Sequence, residues 1–161
     1  MVLKKKVKYS TGSVLYTSIA LLFLVAMFFY FMGRRDIWCY VPLYIVITGW
    51  CVAALFYAPI AVEAGEKGVD VYRPLRVKHI PYSEIKDVKM CPPTMAEKLL
   101  FGSSGGCGYW GWHSEKDLGR YFAYYGKASE AFLVTLKDGR KYMLGCVDAP
   151  EMAEAVKARL Q

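Results

Sequence analysis

Cys107 stands alone among glycines, in Gly105-Gly106-Cys107-Gly108, and is the one thiol of five placed like a nucleophile. A catalytic thiolate requires a base within hydrogen-bond reach, a group that orients the base, and donors for the oxyanion. His113 lies six residues later, and Glu115 and Asp117 lie just beyond it. The run Trp112-His113-Ser114-Glu115 is compact enough to keep a membrane enzyme acting on lipid or peptide among the readings. Nothing in the spacing makes the four groups converge, so no catalytic residue is assigned. The remaining cysteines are Cys39, Cys51, Cys91 and Cys146, and the second histidine is His79. There is no C-x-x-C, and an odd number of widely spaced cysteines opposes a disulfide framework and suits a reducing compartment. No metal site and no cofactor are expected.

The segment around Cys107, from Phe101 to Trp112, interleaves five glycines with aromatic rings. A phosphate loop needs Lys and Ser/Thr directly after its last glycine, and they are absent. A dinucleotide fingerprint needs a helix next, whereas the residues after this segment are aromatic and β-prone. Two readings survive. The glycines permit a bulge or close crossing and the rings fill a core; or Tyr109, Trp110 and Trp112 form an interaction surface at a bilayer interface or for a partner protein. Arg73, Arg76 and Lys78 flank a Pro74-Leu75 turn and are candidate contacts to lipid headgroups. Ordinary positive charge near a membrane is the favoured account of them, at about 1 kcal/mol per charge toward anionic lipid.

The elements that must position these residues begin with two apolar runs. No Asp, Glu, Lys, Arg or His occurs from Tyr9 to Gly33 or from Ile37 to Val62. A helix needs roughly 20 apolar residues to cross a hydrocarbon core of about 30 Å. The expected organisation is a basic segment at 1–13, transmembrane helices at 14–33 and 38–62 joined by a loop at 34–37, and a soluble domain at 63–161. A cleaved signal peptide fits poorly, because the apolar stretch is too long and has no small-x-small site after it. Lys4, Lys5, Lys6 and Lys8 precede the first span, and Lys67, Arg73, Arg76 and Lys78 come after the second. The positive-inside rule therefore places both termini and the domain in the cytoplasm. Residues 1–62 hold six Lys/Arg against one Asp, and residues 63–161 fifteen against thirteen Asp/Glu. The domain is nearly neutral, which argues against a nucleic-acid partner.

Within the domain, strands are expected at 69–73, 76–80, 85–90, 119–125, 131–136 and 141–146. Thr94–Leu100 reads as a helical turn capped by Thr94 and Glu97. Asp138-Gly139 signals a hairpin with a type I′ turn. The chain ends in a helix with Asp148 as N-cap and an apolar stripe of Met152, Val156 and Leu160. Six or seven short antiparallel strands closed by one helix make an α+β barrel or sandwich.

The order and spacing of several stretches carry a resemblance. They are Ile80-Pro81-Tyr82-Ser83-Glu84-Ile85, Phe101-Gly102-Ser103-Ser104-Gly105-Gly106 through Gly108-Tyr109-Trp110-Gly111, Leu118-Gly119-Arg120-Tyr121, Asp138-Gly139-Arg140, and Asp148-Ala149-Pro150-Glu151. Over roughly 64–161 the chain resembles the bacterial pleckstrin-homology (PH) domain proteins that carry membrane helices ahead of the domain. The resemblance implies a PH-like fold without catalytic activity. The function expected is a protein-interaction or scaffolding module at the cytoplasmic face, with a protein partner or self-association. The alternative is a domain that senses lipid headgroups.

Overall fold

A computed structural model describes residues 2–32, 38, 40–94 and 96–160. The loop expected at 34–37 lies outside the described residues, as does Cys39. The described residues form ten strands and three α-helices, in chain order β1 (Leu3–Lys6), α1 (Thr11–Phe31), α2 (Val41–Tyr57), β2 (Ala61–Ala64), β3 (Gly68–Tyr72), β4 (Val77–Pro81), β5 (Ile85–Met90), β6 (Lys98–Gly105), β7 (Gly108–Glu115), β8 (Gly119–Tyr125), β9 (Ala131–Leu136), β10 (Lys141–Gly145) and α3 (Ala149–Lys157).

The lysine-rich segment expected to be a topological tail is the first strand of the domain. β1 runs antiparallel to β2, pairing Leu3 with Ala64 and Lys6 with Ala61. Lys4 bonds Glu63 across that ladder at 3.3 Å, and Lys5 reaches Glu151 at 2.7 Å and Asp148 at 3.2 Å. The two apolar helices are thus an excursion between neighbouring strands. The second helix also ends earlier than expected: Tyr57 is its last residue, and Ala61–Ala64, which the expected boundary splits between membrane helix and soluble domain, is strand β2. Only Ala58, Pro59 and Ile60 separate helix from strand, and Ala58 is already extended.

Strands β1-β2-β3-β4 form one sheet, and β5-β9-β10-β8-β7-β6 the other. The strand count exceeds the six or seven expected, because β1 lies in the expected tail, β2 at the expected helix end, β6 overlaps the expected helical turn, and β6 and β7 together take up the glycine-rich segment. One pairing is parallel, β8 with β10, against the all-antiparallel expectation. It arises because the chain leaves β8 and enters β9 two strand positions away, and β10 fills the gap between them. The Asp138-Gly139 hairpin is present with a different turn. Gly139 has φ +89°, Asp138 is not in the left-handed region, and Leu136 N–H bonds Arg140 O at 2.8 Å. This is the three-residue loop with a glycine bulge, in which one positive φ suffices.

The inner faces bury Val62, Val69, Val71, Ile80, Phe132, Val134, Leu136 and Leu144, all at most 2 % exposed. Each such side chain contributes about 1.5–3 kcal/mol on burial. Helix α3 lays Ala149, Met152, Ala153 and Val156 against this core and covers β5 and β9. Asp148 holds the expected N-cap position but makes no side-chain capping bond. Its backbone is left-handed, with φ 54°, and its carboxylate faces Lys5 instead.

Candidate functional site

The glycine-rich segment is the β6–β7 hairpin, whose tip rests against both apolar helices. In α1, Ser13 Oγ donates to Gly105 O and accepts from Gly108 N–H, while Thr17 Oγ1 accepts from Cys107 N–H at 2.9 Å. In α2, Trp50, Ala53 and Ala54, with Ala58 just past the helix end, enclose Trp110 together with Cys107, and Tyr57 stacks on Trp110. Positions 50, 53, 54 and 57 are one helical stripe. The hairpin therefore climbs alongside the last two turns of α2. A cavity of about 330 Å³ lies beside the joint, lined by Tyr9, Ser13, Thr17, Leu55 and Pro74 among others.

Glycine is required where β6 and β7 cross most closely. Gly102 and Gly111 face each other, both at positive φ, and a Cβ on either would meet backbone oxygen of the other strand at 2.1–2.2 Å.

The three expected aromatic contacts separate. Trp110 is 3 % exposed and belongs to the joint. Tyr109, on the opposite face, stacks on Tyr125 at 4.6 Å. Trp112 is 43 % exposed and meets Phe122 edge-on at 5.3 Å. Sequence reasoning missed that Trp110 and Trp112, two apart in a strand, share one face that Tyr109 leaves.

The basic residues near the first hairpin approach the same region. Arg73 lies over Tyr57 and Tyr124, at 5.9 and 5.6 Å, and donates weakly to the Tyr124 hydroxyl. Arg76 lies over Phe56 at 5.5 Å and Lys78 over Tyr142 at 5.7 Å. Cation–π contacts of this kind are worth about 0.5–1 kcal/mol where exposed. Leu75, at the tip of the β3–β4 hairpin, donates its N–H to Leu55 O at 3.3 Å. Both hairpin tips thus reach the helices.

The thiol–imidazole–carboxylate constellation is not assembled. Cys107 sits in the turn at φ 53°, and the strand from Gly108 to His113 separates the two side chains by roughly 16 Å. Burial pushes the Cys107 thiol up, with a smaller opposing pull from Thr17, the opposite of what a nucleophile needs. His113 is fully buried: its Nδ1–H donates to Gly111 O at 3.2 Å, and Nε2 takes the Ser104 hydroxyl at 3.1 Å. Glu115 accepts from the Thr94 backbone and hydroxyl, and Asp117 is exposed. His79 pairs with Asp70 across β3–β4 at 2.6 Å.

The helical turn expected at Thr94–Leu100 is overturned from Lys98 onward, where the chain is strand β6. Glu97, just before that strand, accepts from the hydroxyls of Tyr121 and Tyr125 on the outer face of the second sheet. Burial, with the Glu97 carboxylate beside them, pushes both phenols far above their usual range. Among the described residues no group of His, Cys, Asp and Glu is arranged to hold a metal ion.

Two packed sheets closed by a C-terminal helix give the architecture, and residues 61–160 match the family model described as Bacterial PH domain. The chain belongs to the bacterial PH domain family. The match begins at β2 and takes in every later element, and β1 and the apolar helices precede it in the chain. No curated protein and no solved structure matches the chain. PH domains are in general binding modules without catalytic activity, and this PH domain carries its glycine-rich hairpin as the seat of the helices.

Proposed function

We propose that the protein is a membrane-anchored binding module without catalytic activity, whose PH domain is held in a fixed orientation at the cytoplasmic face as a platform for a protein partner. The observation that carries this reading is the joint: Trp110 enclosed by α2, and Ser13 and Thr17 of α1 bonded to the hairpin tip. A merely tethered domain has no need of such a seat.

The helices support the anchor. α1 has 21 residues, about 31 Å of helix, and α2 has 17, about 26 Å. Their surfaces are apolar all round, with Leu22, Phe29 and Val46 each near 70 % exposed. In water that arrangement is costly; in hydrocarbon it is the expected one. α2 is a few ångströms short of a 30 Å core, which local thinning and the ring of Tyr40 at its end accommodate. The exposure argues against a core helix. A cleaved leader fits poorly too, since removing it would take away β1 and the Ser13 and Thr17 bonds. Both ends of the helical pair join one sheet, which calls for an even number of crossings, and the lysine bias sets the side.

The test is carbonate extraction followed by crosslinking in native membranes. The reading expects the full chain to stay in the membrane and a defined protein to be retained at stoichiometric yield. Extraction by carbonate, or recovery of the chain alone as a monomer, contradicts it.

A second reading rests on its own observation. Leu75 is 58 % exposed at a hairpin tip seated on α2, with Arg76 beside it. That arrangement suits contact with lipid headgroups by Arg76 and Lys78, while Arg73 is largely occupied by rings.

A further inference from the structure

Residues 99–112, the two arms of the β6–β7 hairpin and its tip, contain no Asp, Glu, Lys, Arg or His, twice the length of any other such run after Val62. The tip lies level with the interior of the apolar helices and not with their ends. Thr17, which bonds Cys107, is six residues past the start of α1, about 9 Å along it. Trp50, whose ring a Cβ on Gly106 would strike, is seven residues before the last residue of α2, about 10 Å. The strand agrees with the helices. Gly108 lies two residues, about 7 Å, beyond Trp110, which stacks on Tyr57 at the end of α2.

We infer that the tip of the β6–β7 hairpin enters the hydrocarbon layer, where the acyl chains of the bilayer are its partner; the inference rests on the membrane anchor proposed above. The helix lengths carry it. If the tip lay at the surface, residues 17–31 of α1 would have to span with about 21 Å, and residues 41–50 of α2 with about 14 Å. A hydrocarbon core is about 30 Å thick. With the helix ends at the boundary instead, the tip stands about 9–10 Å inside it. A charged side chain is costly at such depth, and both arms of the hairpin are free of charge.

Hydrocarbon also requires backbone polar groups to find partners within the protein. The tip meets that requirement with side chains. Gly105 O takes the Ser13 hydroxyl, whose oxygen accepts from Gly108 N–H, and Cys107 N–H bonds Thr17 Oγ1. Gly106 O accepts from Ser103 Oγ at 2.7 Å and from Trp110 Nε1 at 3.3 Å. The hydroxyl of Ser104, at an exposed position, is held by His113 Nε2 at 3.1 Å. In water the solvent would serve these groups, and a helix facing lipid would not need to supply two hydroxyls.

The experiment uses the full chain in phosphatidylcholine nanodiscs, with its five cysteines replaced by Ser and a nitroxide on a single new one. Oxygen concentrates in hydrocarbon and a water-soluble nickel chelate is excluded from it, so the ratio of the two collision rates reports depth. Ser104→Cys labels the hairpin one residue tipward of Trp110, and Phe101→Cys labels it two residues outside that row. Leu15→Cys labels α1 two residues short of Thr17, and Leu22→Cys labels the middle of that helix. All four positions are exposed. The oxygen-to-nickel ratio is expected to rise in the order Phe101, Ser104, Leu15, Leu22. A Ser104 label open to nickel, with Leu15 and Leu22 protected, overturns the insertion and leaves the anchor. Nickel access at all four removes the anchor itself. A Ser104 label reached by neither reagent lies against protein and overturns lipid as the partner. Leu15 lies outside the hairpin, so its reading stands even where the Ser104 variant misfolds. Nickel access at Leu15 with Leu22 protected puts the tip at the surface and overturns the inference.

Discussion

Trp110 and Tyr57 stack with ring centroids 5.8 Å apart and planes 13° from parallel. One ring stands on the sheet and the other on the last turn of the second apolar helix. Their contact makes the helices and the domain one body, and it gives the glycine–aromatic hairpin its reason to exist.

Truncating the inner ring should therefore cost far more than truncating its neighbour. Trp110→Ala opens a cavity among Ala54, Ala58 and Tyr57, with an expected loss of about 3–5 kcal/mol. Trp112→Ala, at a half-exposed ring, is expected to cost about 1 kcal/mol or less. Thermal unfolding of the detergent-solubilised chain measures both. Equal losses would mean that Trp110 is not enclosed.

The two kinds of glycine in this chain should respond differently to alanine. At Gly139 a Cβ has open space, so Gly139→Ala bears only the left-handed backbone, roughly 1–2 kcal/mol. At Gly111 the Cβ also collides with Phe101 O at 2.2 Å. Gly111→Ala is expected to push β6 off β7, read as a larger fall in melting temperature and faster amide exchange along β6.

Much of the fold is legible in the sequence, and the failures have physical causes. Strands β5, β8 and β9 fall on the residues expected, because alternation and turn residues bound them clearly. β2 is hidden because Ala61-Val62-Glu63-Ala64 continues an apolar run, and composition does not mark where apolar helix ends and sheet begins. β1 is hidden because its alternating inward and outward positions are masked by lysines, two of which pair with Glu63, Asp148 and Glu151. The role of Trp110 depends on a helix some fifty residues earlier in the chain, which local pattern does not reveal.

Glu97 should prove a structural carboxylate. Glu97→Ala leaves the hydroxyls of Tyr121 and Tyr125 without their acceptor. A lost partner for a buried donor costs about 1–3 kcal/mol. Tyr125→Phe in the Glu97→Ala background should recover part of the loss, and a double-mutant cycle on melting temperature checks it. Additive losses would contradict the shared site.

Lys5 gives a pH dependence with a defined sign. Its hydrogen bonds to Glu151 first, and then to Asp148, hold its ammonium above the ordinary lysine range. A raised folded-state pKa stabilises the fold fully below the unfolded value of about 10.4. That contribution disappears as pH rises through the folded value. The stability difference between the unsubstituted chain and Lys5→Met should be constant from neutral pH to about pH 9 and shrink above about pH 10.4. A difference that grew with alkalinity would refute the pairing.

The most direct measurement of the central claim is a crosslink between helix and hairpin in native membranes. Thr17 Oγ1 lies 2.9 Å from Cys107 N, so Thr17→Cys beside the native Cys107, with the other four cysteines replaced by Ser, places two thiols at the joint. Rapid intrachain disulfide formation under mild oxidant, reversed by reductant and abolished by Trp110→Ala, is the predicted result. A pair that stays reduced while Lys4→Cys/Glu63→Cys, across β1 and β2, crosslinks in the same membranes would show that the hairpin does not sit on the helix, and the fixed platform would have to be abandoned.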